Sequence, residues 1–133
     1  MMNRRDWVVG AATGFGAMTV MSSEMVKAAP EPAMSLNVIY PHHEGAKFDT
    51  SYYRSTHIPL VMTVTKAASV VLIEGVPMGD SAAPAPYAMI AHFRFASLEA
   101  LKAALANPAM AEVRADVARF TDIKPTVMLG RSL

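Results

Sequence analysis

The segment 87-YAMIAHFRFASLEAL-101 contains a strand and the start of a helix within 15 consecutive residues. Its first nine positions alternate between a strongly apolar face and a mixed one, which predicts a β-strand. Ser97 is a favoured N-cap, and Leu98, Leu101 and Leu105 follow at helical spacing. The segment therefore predicts a strand that leads directly into a capped helix.

An earlier part of the chain repeats this arrangement. Ser35–Tyr40 alternates in the same way and is the predicted first strand. Asp49 is a suitable N-cap for a helix that starts at Thr50. Pro59 has no N–H group, so we expect it to kink this helix or divide it in two.

The remaining segments complete the pattern. Ser69–Val76 is rich in β-branched residues and predicts a second strand, and residues 77–86 form a proline-rich loop. Asn107 and Pro108 are predicted to interrupt the second helix and restart it. Thr126–Gly130 is a short apolar strand. The restarted helix carries an apolar stripe of Met110, Val113, Val117 and Phe120.

The predicted order is β-α-β-β-α-β, which is the ferredoxin-like arrangement of an α+β protein. It places a four-stranded antiparallel sheet against helices on one face. The first and third strands carry sizeable apolar residues on both faces, so the second face also needs a cover. A second copy is the simplest cover for so small a chain, and we expect a homodimer packed sheet against sheet.

Residues 1–28 read as an export signal. Arg4 and Arg5 precede a glycine-diluted apolar run, Trp7–Met21, and small residues near Ala28 suit a signal peptidase. Paired arginines indicate the twin-arginine translocase as partner of the precursor and a periplasmic or otherwise exported location. An amphipathic helix or an uncleaved anchor is the alternative. Residues 29–34 are a predicted linker, and residues 35–133 are the domain.

Charge and composition limit the partners of this domain. Residues 1–28 hold three of the 12 basic and two of the 11 acidic residues, which leaves nine of each. A neutral domain offers no basic surface for nucleic acid or an anionic membrane, so neither is expected as a partner of the mature form. The chain has no cysteine, which excludes disulfides and thiol chemistry.

Three segments together resemble a known family. The first combines 38-VIYP-41 with 48-FDTSYYRSTHIPL-60, the second is 91-AHFRFASLEAL-101, and the third is 115-ADVARFTD-122. They are similar to the EthD family, which is named after ethyl tert-butyl ether degradation. The resemblance spans about residues 36–131. It implies a ferredoxin-like fold that dimerises into an α+β barrel, and members are often labelled reductases.

Tyr53 and His57 are the first candidate catalytic residues. They lie four residues apart on the predicted helix, so their side chains are neighbours on its inward face. A phenol beside an imidazole in an apolar cleft is able to transfer protons near neutral pH. The alternative is a buried histidine that only ties the helix to the sheet. Tyr52 points away from Tyr53 and is assigned to packing or to the dimer surface.

Other candidate site residues come from the strands and the second helix. Asp116 either approaches the cleft as a third catalytic residue or forms a surface pair with Arg119. His92 and Arg94 share one face of the third strand. If that face lines the dimer barrel, the pair is suited to bind an anionic or carbonyl group, and the alternative is interface hydrogen bonding. Tyr40, at the end of the first strand, completes the candidate substrate-binding set.

The sequence offers few signs of a metal or cofactor. His42 and His43 point to opposite sides of an extended segment and have no third ligand at a suitable spacing, so no metal is predicted. Phosphate loops, nucleophile elbows and dinucleotide fingerprints are missing, and no cofactor is predicted. Haem or flavin remains open, since other dimeric α+β barrels use such ligands.

The leading hypothesis is a small oxidoreductase or acid–base enzyme that acts on an apolar, oxygenated organic compound. His57 would donate or accept the proton, and Tyr53 would orient it. The alternative is a non-catalytic binding or auxiliary protein that holds such a compound for a partner oxidoreductase.

Overall fold

The computed structural model describes residues 32–80 and 83–133. The predicted signal, residues 1–28, and the first linker residues lie outside this part of the chain. In chain order the elements are β1 (Met34–Pro41), α1 (Thr50–Tyr52), a π-helical turn (Tyr53–His57), α2 (Ile58–Thr65), β2 (Ser69–Glu74), β3 (Tyr87–Phe95), α3 (Leu98–Ala106), α4 (Met110–Asp116), a 3-10 turn (Val117–Arg119) and β4 (Thr126–Arg131).

The four strands form one sheet in the order β2-β3-β1-β4, and every neighbouring pair is antiparallel. The two central strands are those whose alternation was clearest in the sequence. This order and the position of the helices confirm the predicted α+β, ferredoxin-like fold. The first strand begins at Met34, one residue before the predicted domain boundary.

The core lies between this sheet and the helices. Leu36 and Tyr40 of β1 face the helices and are almost fully buried. Met89, Ala91, Phe93 and Phe95 of β3 lie on the same face and are also buried. Within the described residues, no helix has the length and apolar character needed to cross a membrane.

Both predicted helix caps are present. The Asp49 carboxylate accepts a hydrogen bond from the Tyr52 amide at 3.0 Å, and the Ser97 hydroxyl accepts one from Ala100 at 3.1 Å. Each cap satisfies an amide that has no partner inside its helix. The side chain of Asn107 accepts from the amide of Ala109 at 2.9 Å, and this turn separates α3 from α4 as predicted.

One of the three apolar positions predicted for the helix after Ser97 is not buried. Leu98 is 43% exposed, whereas Leu101 is 1% exposed and Ala104 is also buried. The helix α3 contacts the core through Leu101 and Ala104, whose spacing of three residues follows one helix face. Leu98 is the first residue after the cap and lies at the end of that contact.

These two leucines test the packing of α3. We expect Leu101→Ala to lower the free energy of unfolding by about 2–5 kcal/mol, because it removes a buried side chain and leaves a cavity. Leu98→Ala, the matched control, should change it by less than about 1 kcal/mol. Urea unfolding with equal m-values measures both changes. Equal losses in the two variants would contradict this view of the core.

Candidate active site

A cavity of about 170 Å³ lies between the sheet and the helices. Most of its wall consists of Leu, Val, Phe and Met side chains from the central strands and from α2, α3 and α4. Four side chains in the wall are polar or charged. They are Tyr40, Tyr53, His57 and Arg114.

The π-helical turn positions two of these side chains. The amide of Ile58 donates to the carbonyl of Tyr53, five residues earlier, instead of four. Pro59 follows at the start of α2 and lacks the N–H that an α-helix would direct to the carbonyl of Ser55. The helix is therefore widened by one residue before the proline, while its backbone stays right-handed helical from Tyr52 to Ile58. In this turn the rings of Tyr53 and His57 stack at 5.6 Å with an angle of 17°.

His57 is paired with a buried carboxylate. Its Nδ1 lies 2.9 Å from Oδ2 of Asp116, and both residues are buried. The other carboxylate oxygen, Oδ1, accepts a 2.7 Å hydrogen bond from the hydroxyl of Tyr52. Arg119 lies on the outer side, with its Nε 3.8 Å from Oδ1. The two alternatives for Asp116 are thus combined, since one carboxylate contacts both the cleft histidine and the surface arginine.

The surroundings fix the protonation of this pair. Burial lowers the pKa of His57, and the hydrogen bond and charge of Asp116 only partly oppose this effect. Burial also disfavours the charged form of Asp116, but the hydrogen bonds from His57 and Tyr52, together with charge interactions with His57 and Arg119, hold its pKa below the usual value. At neutral pH a charged Asp116 therefore accepts a hydrogen bond from the Nδ1–H group of a neutral His57.

This protonation state leaves the second ring nitrogen as a base. Nε2 of His57 has no hydrogen-bond partner among residues 32–80 and 83–133, and the ring forms part of the cavity wall. Phe120 packs against the imidazole, with ring centroids 4.5 Å apart. The carboxylate orients the ring and favours the Nδ1–H tautomer, so the lone pair of Nε2 is available in an apolar environment.

The two cavity tyrosines are neutral phenols. Burial raises the pKa of Tyr40 to about 12, and the interaction with Tyr53 opposes this rise. Burial and the interaction with Tyr40 both raise the pKa of Tyr53. Both phenols therefore keep their protons at neutral pH.

The structure brings four of the six predicted site residues together and separates the other two. Tyr40, Tyr53 and His57 line the cavity, and Asp116 lies behind His57. His92 and Arg94 point to the opposite face of the sheet, because they alternate with the buried residues of β3. The structure therefore does not place them beside this cavity.

Tyr52 was expected to serve packing or the dimer surface, and its ring does pack against the core, where it stacks on Phe120 at 6.3 Å. Its hydroxyl has a further role that the sequence did not predict, because it completes the hydrogen bonding of Asp116. Tyr52 does point away from the ring of Tyr53, toward the side where the second helical segment packs. A buried carboxylate needs several hydrogen-bond donors. If Asp116 is assumed to be buried beside His57, this need is the one signal in the sequence for a further donor such as the hydroxyl of Tyr52.

The opposite face of the sheet has a polar centre. Nδ1 of His92 lies 2.6 Å from Oδ1 of Asn37, whose Nδ2 donates to Ser35 at 3.0 Å and to the carbonyl of Met128 at 3.2 Å. Gly130 lies beside this group, and a Cβ there would come within 2.5 Å of the Ser35 hydroxyl. Val71, Ile73 and Met128 around it are more than half exposed.

One of the two loop histidines forms a separate contact. His43 is exposed and lies 3.6 Å from Asp122. Among the described residues, no group of three or more His, Cys, Asp or Glu side chains is close enough to hold a metal ion.

Fold and site together define a class: a ferredoxin-like α+β domain with a His–Asp pair beside an apolar cavity. The model of the EthD domain matches residues 41–124. The chain belongs to the EthD family. No curated protein sequence matches it.

Two solved structures are similar. An EthD-like protein from Ralstonia eutropha JMP134 is 31% identical, with 75% of this chain and 91% of that chain covered and a TM-score of 0.67. An ethyl tert-butyl ether degradation family protein from Bacillus halodurans C-125 is 20% identical, with 76% and 99% covered and a TM-score of 0.58. The second similarity supports the fold alone.

The protonation of His57 is directly measurable. We expect its NMR titration midpoint below 6.5, the ordinary value, because burial outweighs the attraction of Asp116. Asp116→Asn should lower the midpoint further, since it removes the opposing negative charge. Asp122→Asn, the control, removes a carboxylate beside His43 and should leave His57 unchanged. A midpoint above 6.5, or one that rises in Asp116→Asn, would contradict this electrostatic account.

Proposed function

We propose that this protein is an acid–base enzyme that transfers a proton on a small, apolar, oxygenated organic compound. The observation that carries the proposal is the hydrogen bonding of His57. Asp116 occupies its Nδ1, and its Nε2 is left without a partner among the described residues, at an apolar cavity wall. A histidine with only a structural role would be expected to use both nitrogens.

The proposed step needs only side chains of this site. Nε2 of His57 accepts a proton from a carbon or hydroxyl group of the substrate, and Asp116 stabilises the imidazolium that forms. Negative charge then develops on the substrate, and the neutral hydroxyl of Tyr40 is available to donate a hydrogen bond to its oxygen. The imidazolium returns the proton to another position, so atoms and charge balance within one molecule.

The size of the cavity limits the substrate. An engineered apolar cavity of roughly 150 Å³ in another protein binds benzene. The cavity here is of similar size, about 170 Å³. We therefore expect a substrate whose buried part is a single ring or a short branched chain. The apolar wall favours such a body over a sugar or nucleotide.

Hydrogen exchange tests the proton transfer without knowledge of the natural reaction. Small ketones, esters and ethers of suitable size are incubated with the protein in D2O, and deuterium incorporation is followed by NMR. We expect catalysed exchange that His57→Gln reduces by about 10²-fold or more, the usual effect of a general base. His43→Gln, an exposed loop control, should retain it.

The outcome also separates an enzyme from a binding protein. Exchange that is unchanged in His57→Gln would contradict the proposed base. Ligand binding without exchange in either protein would instead support the non-catalytic role, that of holding a compound for a partner oxidoreductase.

We also propose that the protein works as a homodimer in which two sheets pack face to face. The helices cover one face of the sheet, and the other exposes Val71, Ile73 and Met128 around the half-buried His92. Large exposed apolar patches are uncommon in monomers, and a two-fold axis would cover both copies at once.

Sedimentation equilibrium tests this assembly. We expect a dimer at micromolar concentration and a monomer for Ile73→Lys, since the lysine would place an unpaired charge in the interface. Val76→Lys, at an exposed loop position, is the control and should remain dimeric. A wild-type monomer at this concentration would contradict the proposal, as would a dimer that Ile73→Lys leaves intact.

A further inference from the structure

We propose that Arg114, at the mouth of the cavity, binds the carboxylate of a small amphiphilic ligand whose apolar part enters the cavity. The inference deepens the proposed function because it concerns the same cavity. It narrows the ligand from apolar oxygenated compounds in general to monocyclic or short branched carboxylates.

The first observation is the position of Arg114. The inner wall of the cavity is made by buried side chains such as Tyr53, His57 and Phe93. Arg114 and Val127 belong to the same wall but are exposed, so they mark the side that opens to solvent. Arg114 is the one arginine, lysine, aspartate or glutamate in the described wall. A molecule that fills the cavity therefore meets a base inside and a cation at the entrance.

The second observation is that this cation has no partner within the described residues. No ion pair joins Arg114 to a carboxylate there. The neighbours of Arg114 at helical spacing are also apolar: they are Met110, Ala111, Val117 and Ala118. Arg119, by contrast, pairs with Asp116.

The chemistry of the guanidinium selects the ligand group. Its planar donors match a carboxylate and form two parallel hydrogen bonds with it. A ligand bound in this way keeps its carboxylate at the solvent side and directs its ring or branched chain toward His57. The group that reacts would therefore belong to the apolar part of the ligand, and the carboxylate would serve recognition.

Arg114 also lies in the last turn of α4, where a cation stabilises the end of a helix. This structural role predicts a change in thermal stability but no preference between charged and neutral ligands. The pairing role predicts that preference. The two are therefore separable by binding measurements on folded protein.

The test compares matched ligand pairs on the full-length protein. Benzoate and cyclohexanecarboxylate are titrated by calorimetry or NMR beside their neutral amides, at low and at high salt. We expect the carboxylates to bind more tightly, with an advantage that falls at high salt because the site is partly exposed. Arg114→Gln should weaken carboxylate binding about fivefold to tenfold and leave amide binding unchanged. Arg114→Lys should retain part of the preference.

Arg54→Gln is the control, because it removes the same charge from an exposed helix position outside the cavity wall. Absence of carboxylate binding by the wild type would overturn the proposal. Equal weakening of carboxylates and amides in Arg114→Gln would overturn it as well. Because the readout is affinity, a proton-transfer role for His57 that fails the exchange experiment leaves this result intact, and the reverse also holds.

Discussion

A buried hydrogen bond between Nδ1 of His57 and the carboxylate of Asp116 connects the two helical parts of this domain across 59 positions of sequence. Removing either partner would leave a buried polar group unsatisfied, so packing and chemistry depend on the same contact. The bond sets the tautomer of the imidazole, directs Nε2 away from the carboxylate and holds the second helical segment beside the cavity. Phe120 and the two tyrosines then keep water from most of this region.

The fold was predictable because its signals are local. Alternation in β1 and β3 identified both central strands and the residues that share each face, and the caps Asp49 and Ser97 located both helix starts. The burial of Leu98 was predicted wrongly because it depends on a non-local feature. Helical spacing shows which residues share a face, but the extent of contact along that face depends on how the helix lies on the sheet.

The site was predictable only in part, because its members come from different elements. The spacing of Tyr53 and His57 was enough to predict that their side chains are neighbours, since both lie on one helical segment, and their rings are stacked. The partner of His57 could not be chosen from sequence, as Asp116 is equally well placed for Arg119, and the structure shows contacts to both. Alternation likewise placed His92 and Arg94 on one face of β3 without showing that the cavity lies on the other. The hydrogen bond from Tyr52 to Asp116 was not predicted, because it exists only after the two helical segments pack.

The central claim is that His57 presents an unprotonated Nε2 to the cavity while Nδ1–H donates to Asp116. The ¹⁵N chemical shifts of the two ring nitrogens at neutral pH, measured on histidine-labelled protein, test it most directly. The account predicts a protonated Nδ1 and an unprotonated Nε2, and loss of this tautomer preference in Asp116→Asn. A neutral ring protonated at Nε2, or a doubly protonated imidazolium at neutral pH, would contradict it.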